Sequence, residues 1–244
     1  MGILVKTYWW LEKRITPALR YSQYHYYDLL KAFVPEGCSW LDLGCGHQMF
    51  AGWMTGEERE LASRASRLVG IDLDLEGMRR NAAVTGRVLG SLEHLPFPAG
   101  SFDVITANMV VEHLERPQRV LDEVKRVLRP GGSFIFHTPN RRSLPIRLAR
   151  RVPDGPKRAL IRLLEKRKDE DVFPAFYRLN SREEIDRLLR SSGFRVARLQ
   201  AASSSAVTAF LGPLAVIELL YLRLLERAAW QGLRSNLLVV AVKP

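Results

Sequence analysis

Cysteine is scarce in this sequence, since only Cys38 and Cys45 occur among its 244 residues. Two cysteines cannot build the disulfide framework of a small secreted protein, and they are too few for a cysteine-ligated zinc site. Long apolar runs are also lacking. The stretch Ala206–Leu222 is the most apolar, but Gly212-Pro213 interrupts it, so the sequence predicts no simple membrane span.

The amino-terminal residues lack a recognisable targeting signal. Met1–Arg14 contains too short an apolar run, and no small-residue cleavage site, for a secretory signal peptide. Gly2 invites comparison with N-myristoylation, but Lys6 stands where that motif has serine or threonine. We therefore expect a reducing, cytoplasmic location, with peripheral association at a membrane as the open alternative.

Positive charge dominates the sequence and is concentrated in one segment. The net charge is +11, with 47% hydrophobic residues to fill a core and 26% charged residues. Between Arg141 and Lys168, eleven lysines and arginines stand against two acids, so this segment carries +9 of the net +11. Such a segment suits nucleic acid, an anionic lipid surface or an acidic substrate, and equally a solvated pair of basic helices.

Short apolar runs alternate with helical patterns along most of the chain. Seven runs are predicted strands: Ser39–Leu43, Arg67–Leu73, Arg87–Gly90, Phe102–Ala107, Ser133–His137, Phe194–Leu199 and Asn236–Val242. Helical periodicity is clearest in Pro117–Leu128, and a capping box of Ser181 and Glu184 predicts the start of another helix. Strands that alternate with helices predict an α/β fold with a doubly wound sheet.

Two kinds of segment depart from this alternation. Residues 1–34 are rich in aromatic side chains and are broken at Pro17, so they predict two short helices that cap the domain. Residues 35–244 are predicted to form one domain with a basic insert at 141–180. A second, apolar insert at 202–235 is much longer than a hairpin turn, so it predicts helices before the last strand.

The turn after the first predicted strand carries the clearest chemical signal. Gly44 and Gly46 allow the backbone to approach a ligand closely at the carboxyl end of a strand, where such sheets bind ligands. A helix is predicted directly after the turn, with free N–H donors at its start. Met49 stands where a dinucleotide fingerprint needs a third glycine, so a pyrophosphate ligand is disfavoured.

Two acids at strand ends indicate what kind of ligand the turn would hold. Asp42 precedes the first glycine and suits a positively charged amino group better than a phosphate. Asp72 closes the second predicted strand and offers two acceptor oxygens to the vicinal hydroxyls of a ribose. An amino group, a ribose and no phosphate together describe S-adenosylmethionine.

Ordered motifs between Trp40 and Asn140 give the sequence a resemblance to a known family. They read WLDLGCG, VGIDLD, LEHLPFPAGSFDVI, VVEHL, EVKRVLRPGG and FHTPN. The chain resembles the class I S-adenosylmethionine-dependent methyltransferases of the type 11 group, which includes ubiquinone and menaquinone biosynthesis methyltransferases. The resemblance implies a Rossmann-like seven-stranded sheet whose last strand runs antiparallel beside the fifth. It also implies a methyltransferase with S-adenosylmethionine as cofactor.

The resemblance implies roles for residues around the methionine part of the cofactor. Gly44 and Gly46 match the turn that wraps this part, and Asp42 matches the acid that helps to hold its amino group. Asn108 matches the residue that follows the fourth strand beside the methionine moiety.

The nucleoside part of the cofactor is assigned to a second group of residues. Asp72 matches the ribose acid, and Leu73 matches the apolar residue that lies on the adenine. Ser91 and Leu92 match the pair at the adenine edge. The resemblance alone implies these adenine contacts.

Two departures from the family pattern bear on cofactor affinity. His47 and Gln48 stand where the family has a small residue and then glycine, so Gln48 either crowds the cofactor or hydrogen-bonds its carboxylate. Ser91 replaces an aspartate that accepts from the adenine amino group, and its hydroxyl accepts without charge assistance. A degenerate, inactive site is the alternative that these departures leave open.

Methyl transfer is a displacement in which the protein mainly aligns the acceptor and excludes water. A hydroxyl acceptor would benefit from a general base with a pKa near neutrality. His113, which follows the fourth strand, is the candidate for this base, with a structural histidine as the competing interpretation; His25 and His137 are weaker candidates. No clustered carboxylates at suitable spacing predict a metal.

The predicted function is methyl transfer to an oxygen or carbon of a small-molecule or lipid-linked acceptor. Residues 141–168 and 206–225 are predicted to reach an anionic membrane surface, and a homodimer is also open. One alternative is an RNA methyltransferase that uses residues 141–168 as a phosphate track, although this stretch lacks interleaved aromatic residues. The other is a non-catalytic protein that binds a membrane or a partner.

Overall fold

A seven-stranded sheet organises the computed structural model, which describes residues 3–149, 151, 174–204, 208 and 212–244. The strands are β1 (Cys38–Leu43), β2 (Ala65–Asp72), β3 (Gly86–Leu89), β4 (Phe102–Asn108), β5 (Leu128–Pro139), β6 (Arg195–Ala202) and β7 (Asn236–Val242). Their order in the sheet is β3-β2-β1-β4-β5-β7-β6. The first five strands pair in parallel, and β7 runs antiparallel to both β5 and β6. The predicted fold class is confirmed, including the antiparallel last strand beside the fifth.

Helices connect the strands on both sides of the sheet. They are α1 (Ile3–Ile15), α2 (Ser22–Phe33), α3 (Thr55–Ala62), α4 (Leu75–Arg80), α5 (Pro117–Val127), α6 (Leu144–Ala149), α7 (Arg182–Ser191) and α8 (Pro213–Leu225). Short 3-10 helices span Gly52–Met54, Val111–His113 and Ala228–Leu233. The predicted pair of amino-terminal helices is confirmed, with Pro17 between them. A helical segment before the last strand is also confirmed.

The strand β5 is longer than its sequence predicts. The sequence predicts a strand over Ser133–His137, but Pro130, Gly131 and Gly132 belong to a strand that already begins at Leu128. The reason is pairing with the end of the chain, since the Gly131 N–H donates to the Lys243 carbonyl and the Lys243 N–H donates to the Gly132 carbonyl. Ser181 caps α7 as predicted, with its hydroxyl accepting from the Glu184 N–H.

The two faces of the sheet bury separate apolar layers. Leu41 and Leu43 of β1 face one layer, which is completed by α5 and α7, whereas Trp40 faces the other, which is completed by α2 and α3. This alternation follows from the two-residue period of a strand. A third, smaller cluster joins α1 to α8 through buried apolar side chains such as Tyr8 and Leu219.

Topology places several connections at one edge of the sheet. Because β1 to β6 run in the same direction, the residues that follow each of them lie at a common carboxyl edge. The turn after β1, the 3-10 helix after β4, helix α6 after β5 and residues 203–235 after β6 all begin there. Most of the basic insert falls on 150 and 152–173, and these residues lie outside the described part of the chain.

Candidate active site

The turn after β1 is built around two glycines with left-handed backbone angles. Gly44 has φ +61° and Gly46 has φ +44°. A Cβ at Gly44 would approach Cγ2 of Val110 to 2.5 Å, so this position excludes a side chain on steric grounds as well. At Gly46 nothing lies within 4 Å of the position of a Cβ, so its requirement is conformational and one side of the turn is open.

The prediction that a helix follows this turn directly is wrong. Residues 47–51 are irregular, a 3-10 helix follows at Gly52–Met54, and α3 begins only at Thr55. The physical reason lies in Glu58 of α3, whose carboxylate accepts from the N–H groups of Met49 and Phe50 at 3.4 Å. The buried Glu58 carboxylate thus accepts the hydrogen bonds of these two loop N–H groups, so the loop is stable without forming a helix. Burial raises the pKa of Glu58.

Asp72 ties the end of β2 to the glycine turn. Its Oδ2 accepts from the Gly46 N–H at 2.8 Å, and its Oδ1 accepts from the Asp74 N–H at 2.9 Å. The side chain is half-buried. Each carboxylate oxygen can accept more than one hydrogen bond, so both retain capacity for a ligand hydroxyl.

A second clamp on the turn was not predicted from the sequence. The Nδ2 of Asn81, a fully buried side chain at the end of α4, donates to the carbonyls of Cys45 at 2.9 Å and Gly46 at 3.3 Å. Asp72 therefore holds the N–H of Gly46, and Asn81 holds its C=O. Only the position of an asparagine at a helix end could have pointed to it.

Asp42 lies beneath the turn in a buried polar chain. The Thr106 hydroxyl donates to Asp42 Oδ1 at 2.6 Å, and the Trp40 Nε1–H donates to the Thr106 hydroxyl oxygen at 2.7 Å. Burial raises the pKa of Asp42 from 3.8 to about 7. Burial and the nearby Asp42 carboxyl also raise the pKa of Tyr26.

Asn108, at the end of β4, contacts α2, β5 and the loop after the glycine turn. Its Nδ2 donates to the Met49 carbonyl at 2.7 Å and to Gln23 Oε1 on α2 at 3.1 Å. Its Oδ1 lies 2.8 Å from Nδ1 of His137. On the other side of the imidazole, the Asn236 Nδ2 lies 2.8 Å from His137 Nε2. Asn108 thus joins helix α2 to the loop that follows the glycine turn.

His137 is a neutral, structural histidine. Because the Asn236 amide donates to Nε2, the ring proton is on Nδ1 and donates to Asn108. Burial lowers the pKa of His137 to about 3, and Tyr26 stacks on the ring at a centroid distance of 5.6 Å. This geometry favours positioning over proton transfer as the role of His137.

His113 lies in the 3-10 helix after β4, where the predicted base was placed. Its Nδ1 lies 3.0 Å from the Pro174 carbonyl, so Nδ1 donates to this oxygen. His113 is half-buried, and its ring is oriented by a backbone segment from the far side of the basic insert.

Glu112 was missed by sequence reasoning, although an acid inside the apolar string VVEHL is a signal. The carboxyl is buried, and burial raises its pKa from 4.5 to about 7. Its Oε2 accepts from the Thr138 hydroxyl at 3.0 Å. Its carbonyl accepts from the N–H groups of Phe176 and Tyr177. Glu112 therefore fixes residues 174–177 beside the end of β4.

Backbone strain marks the same region. Met109 and Tyr177 are not glycines, yet they have φ +58° and φ +53°. Strained backbone of this kind collects at functional sites, where the surrounding contacts impose it. Tyr177 is held by the Glu112 carbonyl, and the Met109 N–H donates to the His137 carbonyl.

The residues assigned to the nucleoside part are the most open of the set. Leu73 is 64% exposed directly after β2, which is unusual for a leucine at a strand end. Ser91 is exposed and Leu92 is half-buried. The Ser91 hydroxyl accepts from the Glu93 N–H at 3.2 Å, so one of its acceptor positions serves a local turn.

The amide of Gln48 turns toward the 3-10 helix at Gly52. A Cβ at Gly52 would stand 3.7 Å from Gln48 Oε1. Among the described residues, no group of three histidine, cysteine, aspartate or glutamate side chains is placed to hold a metal ion. In that part of the chain no helix is both long and apolar enough to cross a membrane.

Comparison with known proteins identifies methyltransferases. Residues 41–136 match the family described as "Methyltransferase domain". A probable S-adenosylmethionine-dependent methyltransferase of Mycolicibacterium smegmatis is 31% identical, over 64% of this chain and 51% of that protein. The malonyl-[acyl-carrier protein] O-methyltransferase of Methylococcus capsulatus is 30% identical, over 68% of this chain and 55% of that protein. The chain thus spans about half the length of these curated relatives.

Solved structures share the fold. A chain from the complex between the Haloferax volcanii Trm112 methyltransferase activator and a putative methyltransferase superposes with a TM-score of 0.59. The match covers 91% of this chain and 90% of that chain at 21% sequence identity. Identity at this level supports the seven-stranded architecture and nothing finer.

Proposed function

We propose, since this chain belongs to the class I S-adenosylmethionine-dependent methyltransferase family, that it transfers a methyl group to an oxygen atom of a small-molecule or lipid-linked acceptor. The observation that carries the proposal is the joint placement of the glycine turn and Asp72. Two neighbouring strands end there with an open backbone turn and a carboxylate whose acceptor capacity is not exhausted.

The residues present fit S-adenosylmethionine, the methyl donor of this family. Gly46 borders open space at the carboxyl end of β1, and Asp72 offers acceptors to ribose hydroxyls. Leu73 presents an exposed apolar surface next in sequence to Asp72, as contact with an adenine ring requires. Gln48 is directed toward Gly52, which favours the interpretation that it does not crowd this ligand.

In the proposed mechanism the chain's own residues supply position more than reactivity. The bound donor supplies a methyl group that is already activated by the positive charge on sulfur. Asn108, held by His137 and Met49, would fix the edge of the methionine site. Alignment of an acceptor with the methyl group can supply about 7–11 kcal/mol of the barrier.

His113 is the proposed general base for a hydroxyl acceptor. Its Nδ1 donates to the Pro174 carbonyl, which orients the ring, and Nε2 would take the hydroxyl proton in the proposed reaction. A carboxylate acceptor would need no base, because its oxygen is already a nucleophile. The name of the malonyl-[acyl-carrier protein] relative favours an oxygen acceptor over a carbon acceptor for this chain.

The chemistry is tested by incubating the full chain with labelled S-adenosylmethionine and candidate hydroxyl, carboxyl and lipid-linked acceptors. Label in an alkali-labile product would indicate an ester, and label in a stable product an ether or a C-methyl group. Label recovered in RNA would favour the RNA methyltransferase alternative. Failure to bind the donor at all would favour the non-catalytic alternative.

A further inference from the structure

A row of apolar side chains on α8 faces away from the protein. The apolar ridge consists of Leu144 and Leu148 of α6 and Leu214, Ile217 and Leu220 of α8. Each is between 46% and 62% exposed. On α8 the three are three residues apart, so they lie along one side of the helix.

Helix α8 buries its opposite side. Ala215, Leu219, Leu222 and Leu225 pack against Tyr8 and neighbouring residues of α1. The helix is therefore apolar on two sides, and only one of them is covered within the described residues. A helix that is apolar nearly all round belongs in a buried or membrane-facing environment.

The two helices of the ridge adjoin. Tyr221 of α8 packs against the buried cluster, and its hydroxyl lies near the backbone of Leu144 at the start of α6. The exposed leucines of α6 thus extend the row on α8 sideways. An exposed leucine alone carries no meaning, but a contiguous apolar row on adjoining helices marks an interaction surface.

Exposed arginines border the ridge. Arg223 and Arg227 line a groove of about 520 Å³ together with Leu220, Leu224 and Glu226. Arg147 is exposed between the two leucines of α6. Cations beside apolar side chains at the end of a helix complement a surface that has phosphate groups above hydrocarbon.

The ridge lies at the same edge of the sheet as the candidate active site. Helix α6 follows the carboxyl end of β5, and residues 203–235 follow the carboxyl end of β6. The Asn140 Nδ2 donates to the carbonyls of Gly232 and Arg234, which ties this insert to the end of β5. A surface bound by the ridge would lie at the same edge of the sheet as the proposed site of methyl transfer.

We propose that the apolar ridge and its bordering arginines dock the protein on an anionic lipid bilayer, with the carboxyl edge of the sheet toward the membrane. The choice of a bilayer over a second copy of the chain rests on Arg147, Arg223 and Arg227, because a self-complementary contact would bring like charges together. The inference deepens the proposed function by naming where a lipid-linked acceptor is met.

Flotation of the full chain with lipid vesicles tests the proposal. We expect binding to phosphatidylcholine vesicles that contain phosphatidylglycerol, and little binding to phosphatidylcholine alone. Ile217→Gln with Leu220→Gln removes apolar surface without changing charge, and should weaken vesicle binding at least about tenfold. A control for cations outside the ridge, Arg187→Gln with Arg190→Gln on exposed positions of α7, should retain most of the binding.

Several results would overturn the docking proposal. Wild-type protein that stays unbound with anionic vesicles would do so, as would a glutamine variant that binds as well as wild type. Another such result is a concentration-dependent dimer of the wild type that the glutamine variant does not form. If the wild type also fails to bind vesicles, the ridge is an interface with a second copy of the chain. Calorimetry of S-adenosylmethionine binding on the same samples separates the docking proposal from the proposed function. If the protein binds the donor but not the vesicles, only the docking proposal is contradicted.

Discussion

The two ends of the carboxyl edge are held together by different forces. Around the β1 turn, the side chains of Asp72, Asn81 and Glu58 form hydrogen bonds with the backbone of the turn and of the loop that follows it. Around α8, the contacts with α1 are mainly apolar. The first region specifies a geometry, whereas the second provides a packed support with an exposed apolar side. Substitutions should therefore change ligand binding in the first region and stability or surface behaviour in the second.

The largest expected effect concerns the pH dependence of stability in the hydrogen-bonded region. Asp42 has a folded pKa of about 7 against an ordinary value of 3.8. The folded state therefore binds this proton more tightly than the unfolded state, so stability is lost as pH rises from about 4 to about 7. Asp42→Asn should remove this contribution, which is on the order of 4 kcal/mol across that range.

Urea unfolding at a series of pH values measures this contribution. The difference between wild type and Asp42→Asn isolates Asp42 from Glu112, whose pKa is also raised to about 7 by burial. Asp186→Asn, on the surface of α7, is the control and should follow the wild-type curve. Parallel curves for wild type and Asp42→Asn would show that the carboxyl is already ionised in the folded state.

A core substitution in the apolar region should have the next largest effect. Leu219→Ala removes a fully buried side chain between α8 and α1 and should cost about 3 kcal/mol of stability. Because this cluster is separate from the layers of the sheet, S-adenosylmethionine affinity should change less than twofold. Thermal unfolding measures the loss of stability, and calorimetry measures S-adenosylmethionine affinity. A loss of affinity that accompanies the loss of stability would contradict the separation of the two regions.

The two glycines of the turn should respond unequally to alanine. Gly46→Ala costs only the left-handed φ, about 1 kcal/mol. Gly44→Ala costs about the same plus the clash with Val110, for a total of roughly 3 kcal/mol. Thermal unfolding measures both, and Gly44→Ala combined with Val110→Ala should recover part of the extra loss. Equal losses at the two positions would contradict the close approach to Val110.

The smallest predicted effect belongs to the link between α2 and the loop. Gln23→Ala removes two hydrogen bonds with Asn108, at 3.1 and 3.4 Å, and should weaken S-adenosylmethionine binding about threefold, since neutral hydrogen bonds contribute little. Gln23→Glu keeps an acceptor for the Asn108 amide and should bind nearly as wild type. Asp28→Ala, an exposed position on the same helix, is the control. A larger loss of S-adenosylmethionine affinity for Asp28→Ala than for Gln23→Ala would contradict the role of the Gln23–Asn108 contact in the cofactor site.

The sequence predicted the strands well because strand formation leaves a pattern in neighbouring residues. The alternation of Trp40 and Leu41 between two buried layers follows directly from the two-residue period of a strand. The Ser181 cap is likewise set by residues three apart. The extension of β5 through Gly131 could not be read in this way, because it depends on pairing with Lys243 more than a hundred residues later.

The candidate site was readable only in part for the same reason. A strand end followed by glycines marks a turn, so Gly44 and Gly46 stand out in the sequence. The clamps on that turn come from Asn81 and Glu58, which become neighbours only through the packing of α3 and α4. The prediction of a helix from residue 47 was wrong because the sequence does not show that Glu58 accepts hydrogen bonds from the loop backbone.

Calorimetric titration with S-adenosylmethionine of wild type, Asp72→Ala and Asp74→Ala tests the central assignment most directly. Wild type should bind, and Asp74→Ala should bind within about threefold of it, because only the Asp74 backbone N–H contacts the Asp72 carboxylate. Asp72→Ala should bind at least about tenfold more weakly, since it loses a charged acceptor for two hydroxyls and releases the Gly46 N–H. Unchanged affinity in Asp72→Ala would contradict the assignment of this strand end to the donor's sugar.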